Sequence, residues 1–327
     1  MITSLGGNMR SLLFVFALVG CADEKSDSDT GSNSFVASDD TSGDGGVEGL
    51  APLADLSDDD CPKMMESNTG TFSSSGESRT VTVVVPSGEV EPDGPLVYFF
   101  HGLLDPSSTP TPTEYMASAL QLQSIADETG VTFVLPQSGL FERLGFEFFM
   151  WEVETGESND MVLFDDLRTC AALERDIDLT KVHAMGMSGG ALFTTVVARE
   201  RGDTLATMIE MSGGSDISML TFDGLLSEYK TPAYAMPALL ISGGPTDTWP
   251  GGGMDLVDFS GATDNLAEQL YGDGHYVVRC EHDRGHAVPM EAVQASWEWV
   301  EAHQFGETSP FIEDGIDALG SWCSVVE

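Results

Sequence analysis

Between residue 22 and about residue 60 the chain has few large apolar residues, but beyond Cys61 short apolar runs of β type alternate with segments whose apolar residues recur at helical spacing. Alternation of this kind builds a parallel sheet covered by helices on both faces. Thr80–Val85 alternates threonine with valine, as an exposed edge strand does, whereas Leu96–Phe100 is apolar throughout and reads as a central strand. Thr113–Thr129 reads as one helix, Val131–Leu135 as the next strand, and Phe164–Arg175 as a second helix. Val182–Met185 is a strand that leads at once into a helix over Ala191–Arg201, which stops at Gly202. Ala206–Met211, Ala238–Ile241 and Tyr276–Val278 supply further strands, and His303 falls in a C-terminal helix. No internal repeat is visible. A chain of 327 residues can bury one large core, so one main α/β domain with a mostly parallel central sheet is expected.

Charge narrows the choice of partner. With 54 acidic against 13 basic residues the net charge is −41, which repels polyanions and argues against nucleic acid or an anionic membrane surface as a partner. The bland reading of such acidity is solubility, including in a salty medium that screens self-repulsion. At the N-terminus, Arg10 precedes an apolar run, Ser11 to Val19, that is too short to span a bilayer but has the length of a signal-peptide core; Met9 offers a start with a tidier charged region than the eight residues before it. The closing residues Leu18-Val19-Gly20-Cys21 resemble a bacterial lipobox, in which the cysteine is lipidated and becomes the first mature residue. Residues 1–20 are therefore expected to be a lipoprotein signal peptide. Residues 21–62, rich in Asp, Ser and Gly, are expected to be a solvated tether, and residues 63–327 the folded domain. The acidic clusters of the tether do not place carboxylates at calcium-loop offsets. Besides Cys21, four cysteines remain: Cys61, Cys170, Cys280 and Cys323. In an oxidising compartment they allow one or two disulfides and three full pairings, with a weak preference for Cys280 with Cys323 from their shared C-terminal location.

The candidate chemistry lies at strand ends. Gly186-Met187-Ser188-Gly189-Gly190 fits the G-x-S-x-G nucleophile elbow, whose glycines permit a sharp strand-to-helix turn that lifts the serine hydroxyl clear of the sheet. A serine so placed needs a base. Of six histidines, His101 and His183 lie at or inside strands before the elbow, His303 is on the last helix, and His275 precedes the final strand. His286, after Gly285 in the loop beyond that strand, is preferred over His282, which lies closer to the strand between Glu281 and Asp283. A metal set of Cys280, His282 and His286 has ligand-like spacing but lacks a fourth partner. The orienting acid should follow the strand Ala238–Ile241, and Asp247 is the first carboxylate there, ahead of Asp255 and Asp258. Two backbone N–H groups should bind developing negative charge: Gly189, next after the serine, and Leu103, in the turn after Leu96–Phe100.

From about Thr80 to His303 the chain resembles the α/β-hydrolase superfamily. The resemblance is to the secreted esterase branch that includes polyhydroxybutyrate depolymerases, feruloyl esterases and acetyl xylan esterases. It is carried by Phe100-His101-Gly102, by Trp151 ahead of Phe164-Asp165-Asp166-Leu167, by the elbow residues 186–190, by Asp247 and by Gly285-His286. His101-Gly102-Leu103 departs from the multi-glycine form of this turn in many lipases. The resemblance implies hydrolysis of small or polymeric carboxylic esters through an acyl-serine intermediate, without a cofactor. It leaves the ester itself open. Trp151 and Trp249 are candidates for walls of an acyl or aryl pocket, with plain core as the alternative. Two other classes stand beside this reading: a serine peptidase on the same fold, and a binding lipoprotein without catalysis. The lipobox and the signal peptide place the protein at the cell envelope, touching a membrane only through its lipid.

Overall fold

The computed structural model describes residues 47–88, 94–143, 146–153, 158–175, 177–218, 225–250 and 255–327. The expected signal peptide, Cys21 and most of the expected tether lie outside them. The main sheet has nine strands: β1 (Asn68–Ser74), β2 (Glu77–Val84), β3 (Gly94–Phe100), β4 (Thr132–Pro136), β5 (Ile177–Met187), β6 (Thr207–Met211), β7 (Ala238–Ser242), β8 (Val277–Glu281) and β9 (Cys323–Val325). Their spatial order is β1-β2-β4-β3-β5-β6-β7-β8-β9. The six strands from β4 to β8 in that order run parallel, while β1, β2 and β9 pair antiparallel at the two sides.

Helices cover both faces, and strand alternation feeds two cores. In β3, Leu96, Tyr98 and Phe100 join one cluster with residues of α3 (Asn159–Arg175), α4 (Gly189–Arg201) and α5 (Phe259–Gly272). Val97 and Phe99 join the other, with α1 (Pro112–Ala119), α2 (Leu122–Thr129), α6 (Met290–Ala302) and α7 (Phe311–Asp314). A strand buried on both faces favours apolar side chains at most positions, which is why β3 and β7 read as largely apolar runs, whereas β6 (TMIEM) carries the buried Glu210 among its apolar residues.

Three expectations change. The segment Thr113–Thr129 is two helices, because Gln121 adopts a left-handed backbone (φ 54°) between α1 and α2 and redirects the chain. The alternating run at Thr80–Val85 is not an edge, since β2 is flanked by β1 on one side and β4 on the other. The strand β1, with sequence NTGTFSS, has too little apolar pattern to announce itself and buries only Phe72 and Ser74.

The third change concerns the tether. The compact unit runs from Gly46 to Glu327, so residues 47–62, expected to be solvated, belong to it. Arg168 of α3 donates from Nη1 to the Pro52 carbonyl and from Nη2 to the Ala51 carbonyl (2.9 and 2.8 Å), and Thr169 donates to the Ala54 carbonyl (2.8 Å). The buried Asp166 accepts from the amide and the hydroxyl of Ser57 (2.8 and 2.5 Å). A disulfide between Cys61 and Cys170 completes the attachment, and a second joins Cys280 of β8 to Cys323 of β9. The firmest of these anchors are polar, while Leu56 packs partly buried against the core. Among the described residues no helix is long and apolar enough to cross a membrane.

The Cys61–Cys170 bridge spans 109 residues and closes a loop whose entropy is removed from the unfolded chain. Replacing Cys61 by serine should lower stability by about 3–5 kcal/mol in urea unfolding. Peptide mapping under non-reducing conditions should recover both bridged pairs; a free thiol at Cys170 in the parent protein would rule the bridge out.

Candidate active site

The site assembles where β5, β7 and β8 end. Strand β5 turns into α4 at Ser188, whose backbone is left-handed at φ 57°, ψ −123°. A non-glycine residue holds such a conformation only when its surroundings force it, at a cost of about 1–3 kcal/mol. The surroundings here are backbone. A Cβ on Gly190 would collide with the carbonyls of Phe100 and His101, and one on Gly186 with the backbone of Gly190. The Ser188 amide donates to the Met211 carbonyl of β6 (2.9 Å), and the Ser188 carbonyl accepts from the Leu192 amide to begin the helix (3.0 Å). The hydroxyl is thereby aimed away from the sheet and toward the loop after β8.

That loop brings His286. Gly285 has a positive φ of 63°, and its amide donates to the Gly243 carbonyl in the loop after β7 (3.1 Å), so the two loops are pinned back to back. The Ser188 hydroxyl donates to His286 Nε2 at 2.9 Å, and His286 Nδ1–H donates to Asp247 Oδ1 at 2.7 Å. This tautomer follows from the carboxylate, which can only accept. Phe259, the first residue of α5, stacks on the imidazole with ring centroids 4.5 Å apart and planes 15° from parallel.

Asp247 is fully buried and richly bonded. Its Oδ2 accepts from the Ser212 hydroxyl and the Gly243 amide, both at 2.7 Å, in addition to the His286 bond at Oδ1. Burial works to raise its pKa, but the bonds from His286, Gly243 and Ser212 outweigh it and hold the carboxyl below its ordinary value. The group is an anion at neutral pH. The two alternative acids have other partners: Asp258 caps α5 by accepting from the Gly261 amide (3.0 Å), and Asp255 accepts from the Thr248 hydroxyl (2.9 Å).

The turn after β3 lies against the serine. A Cβ on Gly102 would fall 3.2 Å from the Ser188 Cβ, and one on Gly189 would fall 3.3 Å from the Leu103 nitrogen. The Leu103 nitrogen and Gly189, the two expected N–H donors, therefore lie beside each other next to the serine. Their orientation is set by residues whose function the sequence hid. His101 Nε2 accepts from the Ser138 amide (3.1 Å), so its proton sits on Nδ1, which donates to the Gly102 carbonyl (2.7 Å). The Gly102 carbonyl and the Leu103 N–H share one peptide plane, so holding the first aims the second. Burial lowers the His101 pKa to about 4 and keeps the ring neutral, as this arrangement requires.

Trp151 corrects an expectation. It is almost fully buried, stacks on Phe193 of α4 (4.7 Å, 12°), meets Phe100 edge-on, and donates from Nε1 to the His101 carbonyl (2.7 Å). It is a buttress of the turn, on the core side of the two alternatives. Trp249 lies two residues beyond Asp247, half-buried, with its carbonyl accepting from the Leu256 amide (2.8 Å). The remaining histidines are occupied: His183 with Thr207, His275 with the Met236 carbonyl, His303 with Trp299 and Ser309, and His282 with the Arg284 amide. Cys280 is in a disulfide, which removes the thiolate that a metal set with His282 and His286 would need. Ser212 and Phe259 were missed because a serine after a strand and a phenylalanine opening a helix carry no pattern of their own.

No protein-family model matches the chain. No curated protein matches it in sequence. Solved structures do resemble it. The native crystal structure of pOPH is similar with a TM-score of 0.59, at 17% identity over 81% of this chain and 96% of that one. A ferulic acid esterase is similar with a TM-score of 0.52, at 15% identity over 72% of this chain and 95% of that one. An acylaminoacyl peptidase in complex with Z-Gly-Gly-Phe-chloromethyl ketone is similar with a TM-score of 0.52, at 17% identity over 78% of this chain and 44% of that one. At such identities the likeness is one of architecture, and with the nine-stranded, mostly parallel sheet it establishes that the chain has the α/β-hydrolase fold.

Proposed function

We propose that the protein is a serine esterase that hydrolyses carboxylic esters through an acyl-serine intermediate. The observation that carries this reading is the continuous line of hydrogen bonds from Ser188 Oγ through His286 to Asp247, at 2.9 and 2.7 Å, drawn from three separate loops. The similar structures include both a ferulic acid esterase and an acylaminoacyl peptidase, so a serine peptidase on the same fold stands as the alternative.

In the reaction Ser188 Oγ attacks the ester carbonyl carbon while its proton passes to His286 Nε2. The imidazolium is held at Nδ1 by the anionic Asp247, which does not itself take the proton. Negative charge gathers on the former carbonyl oxygen, where the Leu103 and Gly189 N–H groups receive it; one such donor is worth about two to three orders of magnitude in turnover. The intermediate collapses as His286 Nε2 gives its proton to the departing alcohol. Water then repeats the sequence on the acyl-serine, with His286 again taking and returning a proton, and releases the acid. We place this enzyme at the cell envelope, with residues 1–20 as signal peptide and the chain anchored through lipid on Cys21; an anchor of several acyl chains exceeds the two signals needed for stable attachment.

Catalysis of this kind requires a neutral imidazole at His286. Ser188→Ala and His286→Ala should each remove on the order of a millionfold in kcat, and the double variant little more, because the members of one relay act as a unit. A fluorophosphonate probe should label Ser188 in the parent and nothing in Ser188→Ala; labelling elsewhere, or none in folded protein, would favour a binding lipoprotein on the same scaffold.

Asp247→Asn should leave the fold intact and lower kcat on the order of ten-thousandfold, since the amide neither selects the productive tautomer nor balances the imidazolium. Near-normal turnover would move the role to another carboxylate. Processed protein should partition into detergent, whereas Cys21→Ala should remain in the aqueous phase. Equal partitioning of the two would refute the anchor.

A further inference from the structure

Two residues before Ser212, a second buried carboxyl group sits beside the site and takes no part in the reaction described. Glu210 of β6 is fully buried. Its neighbours across the sheet are Gly186 of β5 and Leu240 of β7; α4 presents Thr195, and Gly213 and Gly214 close over it. None of these groups titrates. The ionisable pair further along the network is Asp247 with His286, reached through Ser212.

A protonated Glu210 closes the hydrogen bonds around it. Gly214 N–H donates to Oε2 at 2.7 Å. Oε1 is bonded to the Thr195 hydroxyl, whose oxygen also lies 3.3 Å from the Gly214 carbonyl. Thr195 has one proton to share between Glu210 and the Gly214 carbonyl, which also accepts from the Ser227 hydroxyl at 3.2 Å. If Thr195 donates to the carbonyl, its oxygen is free to receive a proton from Glu210, and a closed ring of three bonds results. An ionised Glu210 would draw the Thr195 proton away from the carbonyl and stand as a buried anion with no cation among its partners.

What the ring holds is the turn that carries Ser212. The chain there runs through left-handed conformations at Ser212 (φ 53°), Gly214 (φ 116°) and Asp216 (φ 56°), two of them at residues with side chains. A Cβ on Gly213 would strike both Glu210 and Ala191, so the turn is moulded directly on the carboxyl group. Ser212, itself buried, is thereby aimed at Asp247 Oδ2.

We propose that Glu210, as a protonated carboxylic acid, is a positioning residue for Asp247: it fixes the Ser212–Gly214 turn so that Ser212 donates to the carboxylate, and it releases that hold on ionising. The inference rests on the catalytic reading of Asp247. Burial raises the Glu210 pKa to about 8, against the lowering effect of the bonds from Thr195 and Gly214. Activity therefore has an alkaline limb near pH 8. Because the shift is upward from 4.5, the folded state keeps a proton that the unfolded chain has lost. The stability it confers is complete below about pH 4.5 and is lost as pH rises to about 8.

The test follows kcat, KM and melting temperature from about pH 5 to about pH 9.5 on p-nitrophenyl acetate for the parent, Glu210→Gln and Ser212→Ala, with fluorophosphonate labelling alongside. A glutamine amide can donate to Thr195 and accept from Gly214, as the acid does. Glu210→Gln should match the parent kcat within about twofold at pH 7 and lack the alkaline fall, and its advantage in melting temperature should grow from pH 5 to 8. Ser212→Ala should lower kcat about tenfold with KM unchanged. An identical alkaline limb in parent and Glu210→Gln overturns the inference, as does a folded Glu210→Gln that loses as much kcat at pH 7 as Ser212→Ala. If glutamine at 210 prevents folding, Thr195→Ser should keep the parent profile and Thr195→Val should lose kcat at constant KM; a Thr195→Val enzyme equal to the parent overturns it too. Normal labelling of Ser188 with any of these results sinks this inference alone, whereas absence of labelling sinks the catalytic reading and this inference with it.

Discussion

The close approach of α4 to the end of β3 governs the rest of the site. Because Gly190 packs its backbone onto the carbonyls of Phe100 and His101, the helix begins within one residue of the strand and Ser188 is forced into its left-handed conformation. The same contact brings the turn at Gly102 and Leu103 against the serine, so one approach sets both the hydroxyl and the two flanking N–H groups. The strain at Ser188, about 1–3 kcal/mol, is small beside the packing that imposes it. Trp151 takes part in that packing from both sides, stacking on Phe193 of α4 and bonding the His101 carbonyl. The aromatic core under the elbow is thus also the mould of the turn above it.

Two buried carboxyl groups, Asp247 and Glu210, show how burial and hydrogen bonds together decide charge. Asp247 receives three hydrogen bonds, from His286, Gly243 and Ser212, and stays anionic in spite of burial. Glu210 is bonded by Gly214 and Thr195, yet burial prevails there. A carboxylate is kept charged inside a protein by hydrogen bonds made to it, and where burial outweighs them it keeps its proton. Groups of the same chemical type can therefore fill opposite roles.

The parts of this arrangement that were legible in the sequence are those with local constraint. The elbow requires glycine at defined offsets from the serine, the central strands favour largely apolar runs, and a base and an acid must follow the last two strands in order; Ser188, His286 and Asp247 could be chosen on those grounds. Asp255 and Asp258 could be set aside only as later carboxylates, and the structure shows their actual work in a loop contact and a helix cap. What stayed hidden depends on contacts between distant segments. Trp151 looks the same in sequence whether it lines a pocket or fills a core. Residues 47–62 look like a tether because their leucines are only partly buried and their firmest anchors are arginine, threonine and backbone carbonyls. The single helix expected over Thr113–Thr129 breaks at a glutamine, a residue whose helix propensity gives no warning.

The placement of the arginines bears on what holds so acidic a chain together. Arg79, Arg168, Arg175 and Arg199 are all buried, although the net charge of −41 would be relieved most by cations spread over the surface. Arg79 pairs with the buried Asp160 at 3.1 Å, Arg168 binds two backbone carbonyls, Arg175 donates to Thr132, and Arg199 donates to the Glu228 carbonyl. Each crosses from one segment to another that lies far away in sequence or on a different element. Arginine suits this work because its planar fork can serve several acceptors while its stem packs with apolar neighbours. Buried carboxyl groups match these cations in number, Asp160, Asp166, Glu210 and Asp247, so the exterior keeps the strongly negative balance of the composition and surface ion pairs can contribute little. The fold must therefore rest on its two apolar clusters, its inward arginines and its two disulfides, while dissolved salt acts on it chiefly by screening the repulsion that remains.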